Sequence, residues 1–589
     1  MEIEIEFKNE YSCKTILDIL KMKNIYFNSP CNGTGKCGKC KIKILKGNVK
    51  LGEENYKRLT KSEISQGICL ACSSFFLDNC VIETGVSDED NFEVISQFGN
   101  EEDCAKKTLI TMHEFILKEQ DLKKGTSFTN IINNTLGYKF KYSLKAIKKL
   151  AALINKTQGE GIYEEFIGEK SVNIIERNGV IVDILKKWDR QVLGIAIDIG
   201  TTTIVLSLVD MLSGKVKKTV SYLNSQRKFG ADVISRIEFS REKNVELLRK
   251  CVCDTILGGI EELMSEYYKK YNIYSIVVSA NTTMINFFLG LPCDGLAQYP
   301  FNTVSLDLSS YTFKEIFKNE ILDAEITILP GISAYVGADI TSGILKCKIH
   351  KYDKISLFVD IGTNGEMAIG NKNKILCLAT AAGPAFEGAN ITCGIGSIKG
   401  AISEVSIKDG NIVYKTIKNA PAVGICGSAV IDIVANLKRE KIIDETGRME
   451  SELCKNDKII IAKGANDEEI IFNQKDIREF QLAKSAIRSG IEVLIKNYKT
   501  SYEHIDNVYI AGGFGSKINI NNSVYIGLIP EELKEKVVIV GNSSLGGAIK
   551  YLSDSKCNEE IEYILAHTQY IDISKDEDFN DLFVENMLF

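Results

Sequence analysis

The sequence lacks a surplus of positive charge and lacks any long apolar run. Its 72 Lys and Arg residues face 78 Asp and Glu residues, for a net charge of −6, which argues against a general nucleic-acid binder because such proteins neutralise phosphates with basic side chains. No uninterrupted apolar run reaches about 18 residues, so no transmembrane helix is expected. The N-terminus, MEIEIEFKNE, lacks the positive region and apolar core of a signal peptide and alternates as a strand does. We therefore expect a cytoplasmic protein that binds neither nucleic acid nor membrane.

Cysteine, by contrast, is plentiful. Seventeen cysteines is an odd number in a long chain that shows no secretion signal, so a disulfide framework is not expected. A reduced cytosol, with some of the cysteines ligating metal, fits better. The remaining composition, 44% hydrophobic and 25% charged residues, is ordinary for a soluble globular protein, and the length predicts about three to five domains.

The pattern along the chain divides it into four segments. Residues 1–86 hold seven of the 17 cysteines. Residues 87–107 are acidic and weakly patterned and are predicted to be a linker. Residues 108–190 combine helical stretches such as SLKAIKKLAALI with strand-like pieces such as VNIIERNGVIVDI, without a chemical motif, and are predicted to be a small structural α/β domain. From residue 191 to residue 589 a long α/β pattern with glycine-rich turns predicts the largest domain.

The cysteine-rich segment has the spacing of an iron–sulfur site. Cys31, Cys37 and Cys40 lie in CNGTGKCGKC, and Cys72 follows after a gap of 31 residues. Three thiolates on one glycine-rich loop with a distant fourth is how plant-type [2Fe–2S] clusters are held, at a spacing close to C-x4-C-x2-C…C. The extra residue in the first gap makes the loop resemble the adrenodoxin-like branch of that family. We therefore predict a β-grasp, ferredoxin-like domain with these four cysteines as metal ligands.

A zinc site is the alternative, since four cysteines also hold zinc. Zinc sites usually combine two short C-x2-C knuckles, whereas this is one crowded loop with a lone partner. Cys69, three residues before Cys72, is a possible competing ligand, but the resemblance places the ligand at Cys72. Cys13 and Cys80 are predicted to be packed or merely adjacent.

A repeated loop marks the large domain. AIDIGTTTIVLSLVD begins at Ala196 and LFVDIGTNGEMAIG begins at Leu357, and both read as an apolar strand, then Asp-Ile-Gly-Thr, then a second apolar strand. An Asp at a strand end offers a carboxylate for Mg²⁺-bound water, and the Gly-Thr turn offers N–H and hydroxyl groups to phosphate. One such turn is weak support, because Asp-x-Gly turns join strands in many proteins. Two copies, 162 residues apart, predict two homologous lobes that face each other.

A third element, VYIAGGFG at 508–515, is an apolar strand that runs into glycines. Together the three elements resemble the phosphate-1, phosphate-2 and adenosine motifs of the actin/Hsp70/sugar-kinase superfamily, with its duplicated, ribonuclease H-like lobes. The resemblance implies Mg-ATP between the lobes, with Asp198 and Asp360 flanking the metal. Glu366 is a candidate for orienting the hydrolytic water, or else a salt-bridge partner. The residues implied to contact the nucleotide are Gly200, Thr201, Thr202, Gly362, Thr363, Asn364, Gly512, Gly513 and Gly515.

A ferredoxin domain followed by this duplicated ATPase fold resembles the reductive activators of corrinoid proteins over nearly the whole chain. The shared motifs are long and occur in order: NSQRKFGADVISRI at 224–237, ANTTM at 280–284, ISAYVGADI at 332–340, TAAGPAFEGANITCGIG at 380–396, GICGSAVIDIV at 424–434, QKDIREFQLAKSAIRSGIE at 474–492, GNSSLGGA at 541–548 and the terminal FNDLFVENMLF. Two positions depart from the family pattern, Ala280 where Gly is usual and Asn286 where His is common. Cys377, Cys393 and Cys426 lie inside these motifs and are predicted to be buried small residues.

The resemblance implies an ATP-dependent reductase that returns a corrinoid protein from Co(II) to Co(I), using an electron from the [2Fe–2S] cluster. It also implies a low-potential electron donor upstream and a homodimer. The partner would be a corrinoid iron–sulfur protein or a corrinoid subunit of a methyltransferase. The other functions considered are a small-molecule kinase, which has no use for a redox cluster, an ATP-gated electron donor to another low-potential metalloenzyme, and a redox-sensing scaffold that binds nucleotide without turnover.

Overall fold

The computed structural model describes residues 2–8, 11, 14–23, 40–84, 108–118, 125–154, 169–230, 232–243, 245–264, 272–408, 411–450, 457–464, 467–512 and 518–589. Several predicted features therefore lie outside the described residues: Cys31, Cys37, Cys13, the linker at 87–107, Gly513 and Gly515. Among the described residues, no helix is both long enough and apolar enough to cross a membrane.

The N-terminal unit is a small sheet with short helices. Its four-stranded sheet has the order β1-β6-β2-β4, and β3 pairs with β5. The strands are Glu2–Ile5, Lys41–Lys46, Val49–Leu51, Ile68–Leu70, Ser74–Phe76 and Cys80–Thr84 (β1 to β6), and the helices are Ile16–Met22, Glu53–Arg58 and Lys61–Ser65 (α1 to α3). The predicted N-terminal strand is thus confirmed as β1, in which Ile5 points into the core and Glu4 towards water. The core is apolar and includes Ile16, Leu20, Ile42 and Ile82.

The second unit is an antiparallel sheet with two helices. Its strands are Ile110–Lys118, Lys141–Tyr142, Glu169–Arg177 and Val180–Lys186 (β7 to β10), in the order β7-β9-β10-β8, and its helices are Phe128–Leu136 and Leu144–Ile154 (α4 and α5). The helical and strand patterns predicted for this region are therefore confirmed. One side of the sheet packs on its own helices. Ile110, Ile175 and Leu185 instead belong to the core of the following lobe, so the unit rests on that lobe.

The first lobe is a six-stranded sheet in the order β13-β12-β11-β14-β16-β15. The strands are Leu193–Ile199, Thr203–Asp210, Val216–Leu223, Ile273–Ala280, Ser309–Thr312 and Glu325–Ile328 (β11 to β16). The helices are Val233–Lys243, Val245–Leu263, Thr282–Leu289, Phe313–Phe317 and Ala338–Cys347 (α6 to α10). Strands β11 and β14 are buried along almost their whole length, as expected for the centre of a largely parallel sheet.

The second lobe repeats this plan and carries an insertion. Its main sheet has the order β26-β25-β17-β18-β19-β27, and the insertion adds the sheets β21-β20-β22 and β23-β24. The strands β17 to β27 are Ile355–Ile361, Gly365–Gly370, Ile375–Thr380, Ala401–Lys408, Asn411–Thr416, Gly424–Ile425, Lys458–Lys463, Glu469–Asn473, Ile505–Ala511, Val537–Gly541 and Thr568–Tyr570. The helices α11 to α16 are Gly427–Arg439, Gln474–Tyr498, Ile520–Tyr525, Ser543–Ser553, Cys557–His567 and Phe579–Glu585.

The two lobes share the topology of five strands and differ in the edge strand that each adds, β15 beside β16 and β27 beside β19. In each, the strand that carries Asp-Ile-Gly-Thr is antiparallel to the next strand and parallel to a later one, as in β11 with β12 and β14, and in β17 with β18 and β25. Helices α10 and α14 pack together between the sheets. Gly547 permits their close approach, because a Cβ atom there would lie 2.5 Å from Ser342. The predicted fold class is therefore confirmed: a ferredoxin-like unit, a small α/β unit and a duplicated, actin-like pair of lobes.

Candidate functional site

Two of the predicted cluster cysteines converge. The Sγ atoms of Cys40 and Cys72 lie 3.1 Å apart, beyond the roughly 2.05 Å of a disulfide bond. Two thiolates about 2.3 Å from one tetrahedral metal would lie about 3.8 Å apart, so a small outward shift fits this pair to a single metal. The pairing is built by the backbone, since the N–H of Ala71 donates to the carbonyl of Cys40 (2.7 Å).

The neighbouring cysteines do not join that pair. Cys69 lies in β4 opposite Ile42 and is buried in the core. Burial raises the pKa of the Cys69 thiol to about 11, against a hydrogen bond with Ser74. Burial raises the pKa of Cys80 to about 11 as well, with Asp78 beside it. The pair whose sulfur atoms meet is Cys40 and Cys72, and the geometry of this pair fits two ligands of one metal.

The two Asp-Ile-Gly-Thr loops face one another across the cleft between the lobes. In the first, the N–H of Gly200 donates to the carbonyl of Thr203 (2.8 Å), and in the second the N–H of Gly362 donates to the carbonyl of Asn364 (3.0 Å). The loops are joined by a side chain that sequence reasoning did not assign. Glu387 Oε2 accepts hydrogen bonds from the hydroxyl of Thr202 (2.7 Å) and from the hydroxyl of Thr363 (3.0 Å).

The turn that presents Glu387 is fixed to the second lobe. It is a 3₁₀ turn, Pro384–Glu387, between Gly383 and Gly388, both of which have φ of 77°. Phe386 within it is fully buried and its ring packs edge-on against Phe480 of α12. Because the backbone belongs to one lobe and Thr202 to the other, the carboxylate forms a bridge between lobes.

Asp198 is held by the start of α14, which packs on the sheet of the first lobe. The Nδ2 of Asn542 and the hydroxyl of Ser544, at the start of α14, each donate to its carboxylate at 2.8 Å. In the second lobe, Asp360 stands directly opposite Glu366 in the β17–β18 pairing, so both side chains lie on the same face of the sheet. Asn364 Nδ2 donates to Glu366 (3.2 Å), and no ion pair involves Glu366 within the described chain, which does not support the salt-bridge alternative.

A further carboxylate joins this group from the first turn of α10. The charge of Asp339 acts on both Asp360 and Glu366, although the sequence singled out only the surrounding ISAYVGADI motif. The lobes therefore bring together five acidic side chains: Asp198, Asp339, Asp360, Glu366 and Glu387. A periodic pattern could not reveal Asp339 or Glu387, because they meet the loops only through tertiary packing.

The electrostatics of this acidic group favour the binding of a cation. Removal from water, followed by the charge of Asp339, raises the pKa of Asp360 well above its ordinary range. Removal from water and the charges of Asp339 and Asp360 do the same for Glu366, and the pKa of Asp339 is raised to about 7. None of the five forms an ion pair with Lys, Arg or His in the described part of the chain. Carboxylates in this condition favour a bound divalent cation.

The acidic side chains are too far apart to ligate a metal directly as a set. Within the described residues, no group of three or more His, Cys, Asp or Glu side chains could hold a metal ion by itself. Mg²⁺ keeps several waters and usually takes one or two carboxylates together with substrate phosphates. The donor set therefore fits Mg²⁺ held partly through water with a nucleotide, and does not fit a bare protein cage.

The third predicted element also reaches the cleft. Gly512 directly follows β25 with φ of 103°, and a Cβ atom at this position would lie 2.4 Å from the carbonyl of Ile361 and 2.9 Å from Asp360 Oδ1. Only glycine fits there without strain. Gly512 is thereby placed beside the second Asp-Ile-Gly-Thr loop.

The remaining predictions concern residues away from the cleft floor. Cys377 and Cys426 are buried, but the prediction for Cys393 is wrong: it is only partly buried, because its sulfur faces β24 and accepts the N–H of Ile471 (3.3 Å). Asn286 bonds the hydroxyl of Thr303 (3.1 Å), so this departure from the family pattern is a packing feature of the first lobe. Asn281, next to the other departure, donates to Thr201 Oγ1 (3.2 Å).

Comparison with known proteins agrees with this arrangement. Three family models match in chain order: a 2Fe–2S iron–sulfur cluster binding domain over residues 3–76, the RACo middle region over 193–352, and the C-terminal ASKHA domain of RACo over 354–589. The second model thus covers the first lobe, and residues 108–190 precede it.

Two of the similar proteins span the full chain. The corrinoid activation enzyme RamQ of Eubacterium limosum is 30% identical over 623 residues, 100% of this chain and 98% of that protein. A [Co(II) methylated amine-specific corrinoid protein] reductase of Methanosarcina barkeri is 26% identical over 66% of this chain and 76% of its own length. A solved reductive activator for corrinoid, iron–sulfur protein superposes with a TM-score of 0.73 at 31% identity, covering 100% of this chain and 96% of that one. The chain belongs to the family of reductive activators of corrinoid proteins.

Proposed function

We propose that this protein reduces a partner corrinoid protein from Co(II) to Co(I), driven by the binding and hydrolysis of Mg-ATP between its two lobes. The observation that carries the proposal is the group of uncompensated acidic side chains between two Asp-Ile-Gly-Thr loops, in a chain that also holds the converging Cys40–Cys72 pair. A kinase would need the acidic group without the cysteine pair, and a ferredoxin would need the cysteine pair without the acidic group.

The N-terminal unit would carry the electron. Cys31, Cys37, Cys40 and Cys72 would hold the [2Fe–2S] cluster, which when bound supplies a one-electron carrier with a potential around −400 mV. Every 59 mV of shortfall costs a factor of ten in a one-electron equilibrium, and Co(II) corrinoids require a stronger reductant than an ordinary ferredoxin. An added source of free energy is therefore needed, and a ligand can supply it by binding two conformations with different affinity.

The lobes would supply that free energy. Asp198 and Asp360 would hold the water shell of Mg²⁺, while Gly200, Thr201, Thr202, Gly362, Thr363 and Asn364 would contact the phosphates. Gly512, Gly513 and Gly515 would let the backbone approach the adenosine. Glu366, which shares a sheet face with Asp360, would orient the hydrolytic water, and the charge of Asp339 acts on it.

The partners follow from the same proposal. The acceptor would be a corrinoid protein, either a corrinoid iron–sulfur protein or the corrinoid subunit of a methyltransferase, and a low-potential electron donor would reload the cluster. We propose that the protein works in the cytoplasm as a homodimer.

The test is reduction of a candidate corrinoid protein, followed by its visible spectrum under anaerobic conditions with a strong reductant present. With wild-type protein and Mg-ATP we expect Co(I) to accumulate. Without nucleotide the corrinoid should stay mostly Co(II), because the step is uphill. The Cys72→Ser variant should bind nucleotide but not reduce, and Asp360→Asn should keep its iron but lose ATP-dependent reduction.

Three results would contradict the proposal. Equal Co(I) formation with and without ATP would remove the energetic role of the lobes. ATP-dependent reduction of another metalloenzyme, with no corrinoid reduced, would favour the reading as an electron donor to that enzyme. ATP binding without any turnover would favour the alternative of a redox-sensing scaffold that binds nucleotide.

A further inference from the structure

One motif of the first lobe has no part in the function proposed above. The segment NSQRKFGADVISRI, residues 224–237, follows β13 and leads into α6. Asn224 and Arg236 within it are both fully buried, although they carry strongly polar side chains. Burial of such groups is costly unless each finds partners, so their partners indicate what the segment does.

Those partners are successive carbonyl groups of the first phosphate loop. Asn224 Nδ2 donates to the carbonyl of Gly200 (2.9 Å) and Arg236 Nη2 donates to the carbonyl of Thr201 (2.6 Å). The backbone N–H of Asn224 donates to the carbonyl of Thr202 (2.8 Å). The motif therefore fixes three consecutive peptide units from one side.

The orientation of those peptide units also sets the direction of the N–H groups in the first loop. In a trans peptide the C=O and the following N–H point in opposite directions, so the N–H groups after these carbonyls point away from the motif. In the described chain, the N–H groups of Thr201 and Thr202 donate to no protein acceptor. By this geometry they face away from Asn224 and Arg236, and the side chain of the same Thr202 reaches Glu387 of the second lobe. Successive N–H groups aimed into one cleft attract an anion.

Arg236 adds a charge beneath this row of donors. Its Nε donates to the carbonyl of Gly230 (2.9 Å) and its Nη1 to Gln226 Oε1 (3.3 Å), and no carboxylate lies within ion-pair distance of it in the described residues. Burial lowers the pKa of Arg236 to about 9, and the charges of Asp232 and Glu387 oppose that shift. The guanidinium thus stays ionised at neutral pH without a contacting countercharge.

We infer that Asn224 and Arg236 are positioning residues for the phosphates of the bound nucleotide. They hold the first loop with its N–H groups facing the cleft, and Arg236 places a buried positive charge behind the loop. This inference rests on the proposed function, because it names the ligand as the polyphosphate of a nucleoside triphosphate. It predicts that the contribution of both residues grows with the number of phosphates on the ligand.

Isothermal titration of the full-length protein with Mg-ATP, Mg-ADP and adenosine tests it. For Arg236→Met we expect Mg-ATP affinity to fall at least about tenfold, which corresponds to about 1.4 kcal/mol, with a smaller loss for Mg-ADP and none for adenosine. Arg236→Lys keeps the charge and should recover part of the loss. Asn224→Ala keeps the charge of Arg236 and should also lose most affinity for Mg-ATP, less for Mg-ADP and none for adenosine. It provides the test if Arg236→Met does not fold.

The control is Arg249→Met. Arg249 lies on α7 of the same lobe and donates to the carbonyl of Ile316 and to Glu246. The Arg249→Met variant therefore loses comparable contacts away from the loop. Equal losses for all three ligands in the Arg236 and Asn224 variants, or an equal loss in Arg249→Met, would reduce the role to general folding and overturn the inference. Wild-type protein that fails to bind Mg-ATP would instead refute the proposed function.

Discussion

The sulfur atoms of Cys40 and Cys72 meet because the chain turns sharply after β4. Cys69 lies within the strand, whereas Cys72 lies in the 3₁₀ turn Ala71–Ser73 that follows. Both are buried in the same core, and it is the Cys72 sulfur that meets Cys40. The sequence named Cys72 by resemblance, and the meeting of Cys40 and Cys72 supports that prediction.

We expect Cys40→Ser and Cys72→Ser each to abolish the visible absorption of the anaerobically purified protein, because each removes one thiolate ligand. Cys69→Ser is the matched control, since it changes a neighbouring buried thiol of the same chemistry, and it should leave the absorption and the iron content unchanged. A Cys69→Ser protein without iron, beside a Cys72→Ser protein that keeps it, would reverse the assignment.

Asp360 gives a prediction for pH dependence. Removal from water and neighbouring carboxylates raise its pKa in the folded protein, whereas in the unfolded chain its pKa lies near 3.9. A raised folded-state pKa means that the folded state binds the proton more tightly. Its stabilising contribution is present below about pH 4 and is lost as pH rises towards the folded-state value.

Asp360→Asn removes this dependence. Without Mg²⁺ or nucleotide, the thermal midpoint of the variant relative to wild type should therefore rise between pH 5 and pH 8, when both are scanned in EDTA. Mg²⁺ should narrow the difference at pH 8, because it neutralises the ionised carboxylates of wild type. A difference that is the same at both pH values would show that Asp360 titrates normally.

At the scale of elements, the sequence predicted the strands and turns well and the contacts between distant elements poorly. The two Asp-Ile-Gly-Thr loops were predictable because each follows an apolar strand, so a short stretch of sequence is enough to identify it. Glu387 and Asp339 were not, because the first reaches Thr202 across 185 positions of sequence and the second approaches through the packing of α10. Asp-x-Gly turns leave a local signature, whereas a bridge between lobes leaves none.

The Glu387 bridge predicts a measurable change in mobility. Glu387→Ala removes the one acceptor shared by Thr202 and Thr363, so the nucleotide-free lobes should separate more often. We expect faster amide hydrogen exchange in peptides that cover residues 200–203 and 362–364, because local opening frees these loops. Glu404→Ala is the control, as Glu404 belongs to the same lobe but pairs with Lys415 on the surface. Unchanged exchange in Glu387→Ala would show that other contacts keep the cleft closed.

At the scale of the whole molecule, the second unit is attached to the first lobe by a buried acid. Asp183 is fully buried and accepts a hydrogen bond from the hydroxyl of Tyr274 in β14 (3.0 Å). It also pairs with Lys149 (2.5 Å) and Lys145 (3.2 Å) of α5. In sequence this unit stands between the cysteine-rich unit and the lobes, so we expect a movement of the first lobe to carry it along.

Asp183→Asn tests whether that attachment transmits the effect of ATP. The amide keeps the shape but loses the charge that two lysines share, at a cost of about 1–3 kcal/mol in stability, seen as a lower thermal midpoint. We expect ATP hydrolysis and visible absorption to stay near wild type while fewer corrinoid molecules are reduced per ATP hydrolysed. Glu114→Gln is the control, because its pair with Arg190 is exposed and such pairs contribute little. An unchanged ratio in Asp183→Asn would mean that ATP acts on the docked corrinoid protein directly through the lobes, and not through the chain that leads to the cluster.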